Sequence, residues 1–266
     1  MRKYLSQKKA LYLSGKSKSL KFEIDSFFLN NIPASLRETY KFIARKSKAQ
    51  CRQDLIALVL TNFKTNGYFL EIGATDGILL SNTLTLENFF QWSGTLVEPN
   101  TRFLKKLYRN REKNFIIPNV ILDKDDVDVE FYELRFGELS SVFKEYPDGW
   151  ADFRKNGKSE LRKTMSFSKL VNQVITSDKI DFVSIDTEGS ELEILETLEK
   201  VKKQIDIIVV EHSGIRKKRE SIFEIMKHNN FDLLQFPFEY WDDWYVSASL
   251  SKGQSLMDFS TFKKGL

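Results

Sequence analysis

The amino-acid sequence predicts an α/β fold in which a mostly parallel sheet follows a helical segment. From Gly67 onward, short β-rich runs alternate with amphipathic helical stretches, and the same alternation returns from residue 180. Parallel neighbouring strands need a long connection, which a helix supplies, so the alternation indicates strands joined by crossover helices. Hydrophobic residues make up 41% of the 266 positions, which is enough for one large core.

The first part of the chain is basic and has a helical pattern. Residues 1–52 contain 13 Lys or Arg against 3 Asp or Glu, whereas acidic residues are in excess over the remainder. Residues 1–20 are rich in Lys and Ser and predict a loosely ordered segment, and apolar residues then recur at helical spacing from Phe22 to Phe63. We therefore divide the chain into a basic N-terminal helical extension, residues 1–52, and a main domain, residues 53–266.

The main domain contains seven β-rich runs separated by helical patterns or turns. In chain order the runs are GYFLEIG, GTLVEP, NFIIPNVIL, DFVSID, DIIVVEH, FDLLQF and WYVSASL. The helical patterns between them include SNTLTLENFFQW, TRFLKKLYRNR, SELEILETLEKV and SIFEIMKHNN. Residues 143–163 interrupt the alternation and predict an excursion, either a lid over a site or a plain surface insertion.

Several classes of protein are excluded by composition. Cys51 is the single cysteine, so neither an intrachain disulfide nor a Cys-rich zinc site can form. No apolar run approaches the roughly 18 residues that a membrane span requires, and the basic start lacks the apolar core of a signal peptide. We expect a cytoplasmic protein. The basic extension carries no nucleic-acid motif, and a solvated basic surface is the preferred interpretation over nucleic-acid binding.

The most informative turn is FLEIGATDG, residues 69–77, where a β-run leads directly into a helical pattern. Glycines at such a turn permit positive φ and let a ligand approach the backbone closely. The spacing is Gly-x-x-x-Gly, not the Gly-x-Gly-x-x-Gly that cradles a pyrophosphate. The preceding carboxylate, Glu71, would repel a pyrophosphate but can pair with an ammonium group.

A second acidic side chain ends the next β-run, in TLVEPN. Glu98 follows the glycine turn at close to the ~20-residue offset where a carboxylate accepts hydrogen bonds from ribose hydroxyls. An acid at each of the first two strands, with a glycine turn between them, indicates a site for an adenosine that has a cationic tail and no phosphates. S-adenosylmethionine is such a ligand.

A third group of polar residues follows two later β-runs. DFVSID ends in Asp186 and DIIVVEH ends in Glu211 and His212, so neighbouring parallel strands would bring these three side chains to one rim. They could hold a divalent ion, or His212 could act as a general base toward a substrate hydroxyl. Glu188 and Glu191 open the following helix, where they could serve only as favourable charges at its N-terminus.

Five ordered blocks resemble the FkbM-type methyltransferases, a branch of the Rossmann-like, class I S-adenosylmethionine-dependent enzymes. The blocks are FLEIGATDG, SNTLTLE, WSGTLVEPN, DFVSIDTEGSELEIL and IIVVEH, and the similarity extends over roughly residues 50–250. The upstream AQCRQDL resembles the SQ-x-GQD-L segment of one subgroup but departs from it at Ala49 and Arg52. The resemblance implies a seven-stranded, mostly parallel sheet with flanking helices, in the order 3-2-1-4-5-7-6, whose last strand is antiparallel.

The resemblance also implies which residues serve the cofactor and the reaction. Glu98 would take the ribose, with Asn100 close by, and Asp186 and Glu188 match the family's D-x-EG-x-E element. With His212, these two residues are the candidate catalytic residues. The remaining residues carried over to the S-adenosylmethionine site are Glu71, Gly73, Ala74, Asp76 and Gly77 at the turn, Ser81 and Asn82 after it, Asn119 and Val120 beside adenine, and Ser140 and Ser141 before the fourth strand.

The activity that the resemblance implies is O-methylation of a sugar or glycan precursor, including nucleotide-linked precursors of capsule or other surface polysaccharides. The sulfonium methyl is already activated, so the protein has chiefly to position the acceptor hydroxyl and remove its proton. His212 or Asp186 could be the base, or an ion such as Mg²⁺ or Mn²⁺ could assist at Asp186, Glu211 and His212. The alternatives are a nucleic-acid-binding module on the same fold and a methyltransferase for another small metabolite. A homo-oligomer is left open.

Overall fold

A computed structural model of the chain describes the backbone of residues 2–134, 140–143, 155, 158–238 and 241–251. Side chains are described from residue 17 onward within these ranges, except for residue 251. The helices are α1 (Arg2–Asn31), α2 (Ala34–Ala44), α3 (Gln53–Leu60), α4 (Leu84–Phe90), α5 (Thr101–Asn110), α6 (Phe167–Lys169), α7 (Glu191–Leu195), α8 (Arg216–His228) and α9 (Ala248–Ser251). A π-helical turn, Leu170–Val174, continues α6, and a 3-10 turn, Leu198–Lys200, follows α7.

Seven strands form the main sheet, which has the predicted order. They are β1 (Tyr68–Ile72), β2 (Ser93–Val97), β3 (Phe115–Ile117), β7 (Lys179–Ile185), β8 (Gln204–Glu211), β9 (Phe231–Leu234) and β10 (Asp242–Ser247). Their spatial order is β3-β2-β1-β7-β8-β10-β9, and β10 runs antiparallel to both neighbours. The Rossmann-like arrangement expected from the sequence is confirmed.

Both faces of the main sheet are covered, which explains the nearly continuous apolar runs of its central strands. Successive side chains of a strand point to opposite faces. Phe69 and Phe182 therefore pack with the N-terminal helices in one cluster, whereas the neighbouring Leu70 and Val183 pack in a second cluster with α6, α7 and α8. The carboxyl ends of β1, β2, β7 and β8 consequently meet at one uncovered edge.

Helix α1 corrects one expectation from the sequence. Residues 2–20, predicted to be loosely ordered, are helical and continuous with the segment up to Asn31. Ile24, Phe28 and Ile32 are buried in the same apolar cluster as the sheet. Once such a packed turn exists, each further residue adds a hydrogen bond without a new nucleation cost, and the preceding residues are mostly good helix formers without proline.

A small second sheet was not predicted. Its strands are β4 (Val120–Leu122), β5 (Asp128–Glu133) and β6 (Lys158–Ser166), in the order β4-β6-β5. The run NFIIPNVIL is thus two strands, β3 and β4, separated by Pro118, which has no N–H to donate to a ladder. The excursion predicted for residues 143–163 leads into β6, which begins at residue 158 and pairs outside the main sheet, and residues 144–154, 156 and 157 lie outside the described ranges.

In the described part of the chain, no helix combines the length and the apolar character that crossing a membrane would require.

Candidate functional site

A cavity opens at the carboxyl ends of β1, β2 and β7. This edge is where open α/β sheets bind ligands. We call it the first cavity. Its walls include predicted site residues from three strand ends and from the β3–β4 connection, namely Gly73, Glu98, Asn119, Val120, Asp186 and Glu188, and also Ser140.

Gly73 is required at the end of β1 because two backbones meet there. Its φ is +96°, and a Cβ atom on it would lie 1.9 Å from the carbonyl oxygen of Asp186. The Gly73 and Ala74 N–H groups both donate to the carbonyl of Val97 at 3.0 Å. A side chain at residue 73 would therefore push β1 away from β7 at the cavity wall.

Glu98 lies in the wall of the first cavity, and its position is fixed by two backbone donors. The Asn100 N–H donates to Oε1 at 2.7 Å, and the Thr75 N–H donates to Oε2 at 2.8 Å. Burial raises the pKa of Glu98 to about 7. A carboxylate oxygen can accept two hydrogen bonds, so each oxygen keeps capacity for one more, as a ribose diol requires.

Glu71 lies beside the cavity rather than in its wall, and the protein's own donors surround it. The Asn82 N–H donates to Oε1 at 2.7 Å, and the Ser81 hydroxyl donates to Oε2 at 3.1 Å. The Thr83 hydroxyl donates to Oε2 as well, and the buried Arg111 guanidinium lies 3.9 Å from it. Glu71 thus anchors the segment between β1 and α4.

Most other predicted cofactor residues support the cavity from outside its wall. Asp76 accepts hydrogen bonds from the Ile78 and Leu79 N–H groups. Gly77 has a φ of +78°, and a Cβ on it would meet Arg111 Cγ at 2.5 Å. Asn100 caps α5 by accepting a hydrogen bond from the Arg102 N–H, and its Nδ2 donates to Ser140 Oγ. Asn82 Nδ2 donates to Ser184 Oγ, and Ser141 Oγ donates to the Glu188 carbonyl.

Three carboxylates converge beside the first cavity at the ends of β7 and β8. Asp186, Glu191 and Glu211 each contribute an oxygen, and these three atoms lie within 4.8 Å of one another. We call them the acidic cluster. The Lys218 ammonium, from the first turn of α8, lies 2.6 Å from Glu191 Oε2, and both side chains are buried. Oxygen ligands at this spacing suit a divalent ion, and the ammonium already supplies one positive charge.

Three carboxyl groups at this edge have a raised pKa. Burial, reinforced by the charges of Asp242 and Glu191, raises the pKa of Asp186 to about 7. Burial and the Asp186 charge raise the pKa of Glu211 well above its ordinary value. Burial also raises the pKa of Asp242 to about 6. Like-charged carboxylates this close resist joint ionisation, so one of them can take up a proton near neutral pH.

His212 does not join the acidic cluster. Its Nδ1 accepts a hydrogen bond from the Gly214 N–H at 3.1 Å, which leaves the proton of the neutral ring on Nε2. Nε2 lies 3.9 Å from Asp243 Oδ1, and burial lowers the pKa of His212. In this tautomer Nε2 is a donor, so His212 is not arranged to accept a proton from a substrate.

The structure brings together part of the predicted metal and catalytic set and adds two residues. Asp186 and Glu211 meet as expected, whereas Glu191 takes the place foreseen for His212. Glu191 also accepts hydrogen bonds from the Thr187 and Gly189 N–H groups, so the charge expected at a helix N-terminus is present too. Lys218 was missed because it lies in the run RKKR, where nothing in the sequence marks one lysine as buried.

Comparison with known proteins identifies the family of the chain. The model of the methyltransferase FkbM domain matches residues 71–235, which include the ends of β1, β2, β7 and β8. No curated protein shows a significant match to the chain. Among solved structures, the chain is similar to an SAH-bound Podospora anserina methyltransferase at 10% identity, over 85% of this chain and 93% of that chain, with a TM-score of 0.42.

Two further structures are similar at the same low level. A TehB-like SAM-dependent methyltransferase from Corynebacterium glutamicum is 8% identical over 80% of this chain and 96% of that chain, with a TM-score of 0.40. A methyltransferase from Pyrococcus furiosus is 15% identical over 73% of this chain and 82% of that chain, with a TM-score of 0.38. The family match spans more than half of the sequence, and the chain belongs to the FkbM family of S-adenosylmethionine-dependent methyltransferases.

Proposed function

We propose that this methyltransferase acts on a hydroxyl group of a sugar or glycan precursor, including nucleotide-linked precursors of surface polysaccharides. The observation that carries the proposal is the position of Asp186. This residue borders the first cavity, and its carboxylate belongs to the acidic cluster, so Asp186 lies between the proposed cofactor site and the rim beyond it. A hydroxyl acceptor needs a base at that boundary.

S-adenosylmethionine would bind in the first cavity. Glu98 has two acceptor positions left for the ribose hydroxyls, and Asn119 and Val120 would border the adenine. Glu98, Asp186 and Glu188 give the walls an acidic character, which favours a cationic ligand over a polyphosphate. When bound, this cofactor supplies a methyl group that its sulfonium has already activated. The turn containing Gly73 shapes the cavity wall, whereas Glu71, Ser81 and Asn82 hold that turn.

Asp186 would remove the proton of the acceptor hydroxyl. A pKa of about 7 keeps a large fraction of this carboxylate ionised at neutral pH while leaving it basic enough to accept a proton. Lys218 would supply the positive charge that holds the acidic cluster together. The alternative left open by the sequence, Mg²⁺ or Mn²⁺, would have Asp186, Glu191 and Glu211 as ligands.

A panel of acceptors tests the proposal. The protein is incubated with S-adenosylmethionine and, separately, with nucleotide-linked sugars, methyl glycosides, catechols and primary amines, and methylated products are detected by mass spectrometry. We expect a methyl ether on a sugar, and its formation should be lost in Asp186→Asn. Transfer to an amine or a catechol, with the sugars unchanged, would reject the acceptor class while leaving the methyltransferase activity in place.

A further inference from the structure

A second cavity lies at the same edge of the sheet, beyond the acidic cluster. It has a volume of about 490 Å³ and opens between the end of β8, the first turn of α8 and the connection from β9 to β10. Its walls contain three aromatic residues, Phe236, Phe238 and Trp244, and the carboxylates Asp242 and Asp243. The family match ends at residue 235, so all five of these residues lie beyond it.

Carboxylates on neighbouring strands lie between the two cavities. Asp186, at the end of β7, borders the first cavity and lies beside Glu211, at the end of β8. Glu211 pairs in register with Asp242, the first residue of β10, which borders the second cavity. Adjacent strands are about 4.8 Å apart, so the path from Asp186 to Asp242 spans roughly 10 Å. That span is comparable to a sugar ring with its substituents.

The aromatic wall is rigidly supported. The Phe236 and Phe238 rings stack at 5.2 Å with 11° between their planes, and the Trp244 indole meets Phe236 edge-on at 6.4 Å. Phe27, from α1, packs edge-on against both phenylalanines. The N-terminal extension therefore backs the wall of the second cavity, in which the Phe236 side chain is half-buried.

The polar groups of the second cavity are held in fixed orientations. Arg219 donates two hydrogen bonds of 2.8 Å to the Asp243 carboxylate, and Gln53 donates one of 2.7 Å to Asp242. His212 presents an N–H donor from the same side. Oriented carboxylates accept from hydroxyls, an imidazole N–H donates to a hydroxyl or ring oxygen, and an aromatic face packs against the C–H surface of a sugar.

We propose that the second cavity binds a sugar ring of the acceptor and directs one of its hydroxyl groups toward Asp186. This rests on the proposed function, and it adds where the acceptor lies and what the N-terminal extension does for it. The first cavity holds the cofactor, the carboxylates between the cavities receive the reactive hydroxyl, and the extension keeps the aromatic wall in place.

Ligand-observed saturation-transfer NMR tests the site on the full chain saturated with S-adenosylhomocysteine. The probes are UDP-glucose, UDP-N-acetylglucosamine and methyl α-mannoside at millimolar concentration. We expect sugar-ring signals from at least one probe, and about 5-fold weaker binding of that probe in Phe236→Leu. His212→Ala provides a second variant in the same cavity. Phe42→Leu, an exposed ring on α2, is the matched control and should bind like the unaltered protein.

The outcomes separate this site from the cofactor site. Glu98→Gln should weaken S-adenosylhomocysteine binding, measured by calorimetry, without changing the sugar signals. Absence of ring signals from all three probes, binding that persists unchanged in both cavity variants, or competition between a sugar and S-adenosylhomocysteine would overturn the second-cavity assignment. If the unaltered protein does not bind the cofactor, the proposed function is overturned instead, regardless of the sugar-ring signals.

Discussion

Gln53 donates a hydrogen bond of 2.7 Å from Nε2 to Oδ2 of Asp242, joining the first residue of α3 to the first residue of β10. Both side chains are buried. The preceding Arg52 has a φ of +61°, and its guanidinium donates to Asp25 and to the Ala44 carbonyl. The resembling subgroup has glycine at this position, which suits the left-handed backbone. In this chain, the hydrogen bonds of the Arg52 guanidinium offset the conformational cost of a left-handed backbone at a residue that has a side chain.

Replacing Gln53 by Ala should lower turnover about 10-fold, because Asp242 loses the donor that orients it and that lowers its pKa. Affinity for S-adenosylhomocysteine, measured by calorimetry, should stay unchanged. Gln204→Ala is the matched control, since Gln204 donates a similar bond to Asp206 at the opposite end of β8. Equal turnover in the two variants would mean that Gln53 has only a structural role.

Glu98→Gln should weaken S-adenosylhomocysteine binding by about 100-fold at pH 8, because hydrogen bonds to a charged acceptor contribute about 1.5–3 kcal/mol each. The pKa of about 7 adds a second readout: in the unaltered protein, affinity should fall as pH drops below 7 and the carboxyl becomes protonated. Glu130→Gln, on the exposed side of β5, is the control. A folded Glu98→Gln protein with undiminished affinity would refute the ribose assignment.

Glu71→Gln should act on stability rather than on cofactor binding. The change weakens a buried carboxylate that accepts from Ser81, Asn82 and Thr83, and it leaves the Arg111 charge with less compensation. We expect the free energy of unfolding in urea to fall by about 3 kcal/mol. Glu38→Gln, at an exposed position, should leave it unaltered. Lost cofactor affinity at unchanged stability would instead mean that Glu71 contacts the ligand, as the sequence predicted.

The contrast between Glu71 and Glu98 indicates how far the sequence could lead. Both were predicted from the position of an acid within a β-run, and the sheet order and the common edge followed from the same alternation. Only Glu98 faces the first cavity, because the segment after β1 folds back and occupies the acceptor positions of Glu71. Strand patterns determine which residues reach an edge, whereas nearby donors decide which of them remain available to a ligand.

Lys218 and the second sheet were beyond such reasoning for different reasons. Lys218 is one of several basic residues at the start of α8, and its burial depends on Glu191 from another helix. Strand β6 carries four charged residues and buries only Thr164 and Ser166, so its pairing with β4 and β5 is decided by contacts distant in the chain. The local spacing of apolar residues cannot predict either contact, because both join residues that are distant in the chain.

Asp186→Asn should reduce kcat by a factor of about 10²–10⁴, the range expected for a lost general base, while S-adenosylhomocysteine still binds. In the unaltered protein the carboxylate is the active form, so kcat/KM should rise with pH, reach half its maximum near the pKa of about 7 and level off above it. Asp178→Asn, an exposed residue just before β7, is the control for charge. A pH-independent rate, or full activity in Asp186→Asn, would assign the proton transfer to another group.

Lys218→Met tests whether an ammonium group, rather than a metal ion, compensates the acidic cluster. Without the 2.6 Å contact to Glu191, the carboxylates repel one another more strongly, so the pKa of Asp186 should rise further and the midpoint of the pH–rate profile should move upward. Lys217→Met, the exposed neighbour, should leave the midpoint in place. Turnover of the unaltered protein should be the same with and without EDTA. Inactivation by EDTA that Mg²⁺ or Mn²⁺ reverses would show that a divalent ion, held by Asp186, Glu191 and Glu211, compensates the charge of the acidic cluster in place of Lys218.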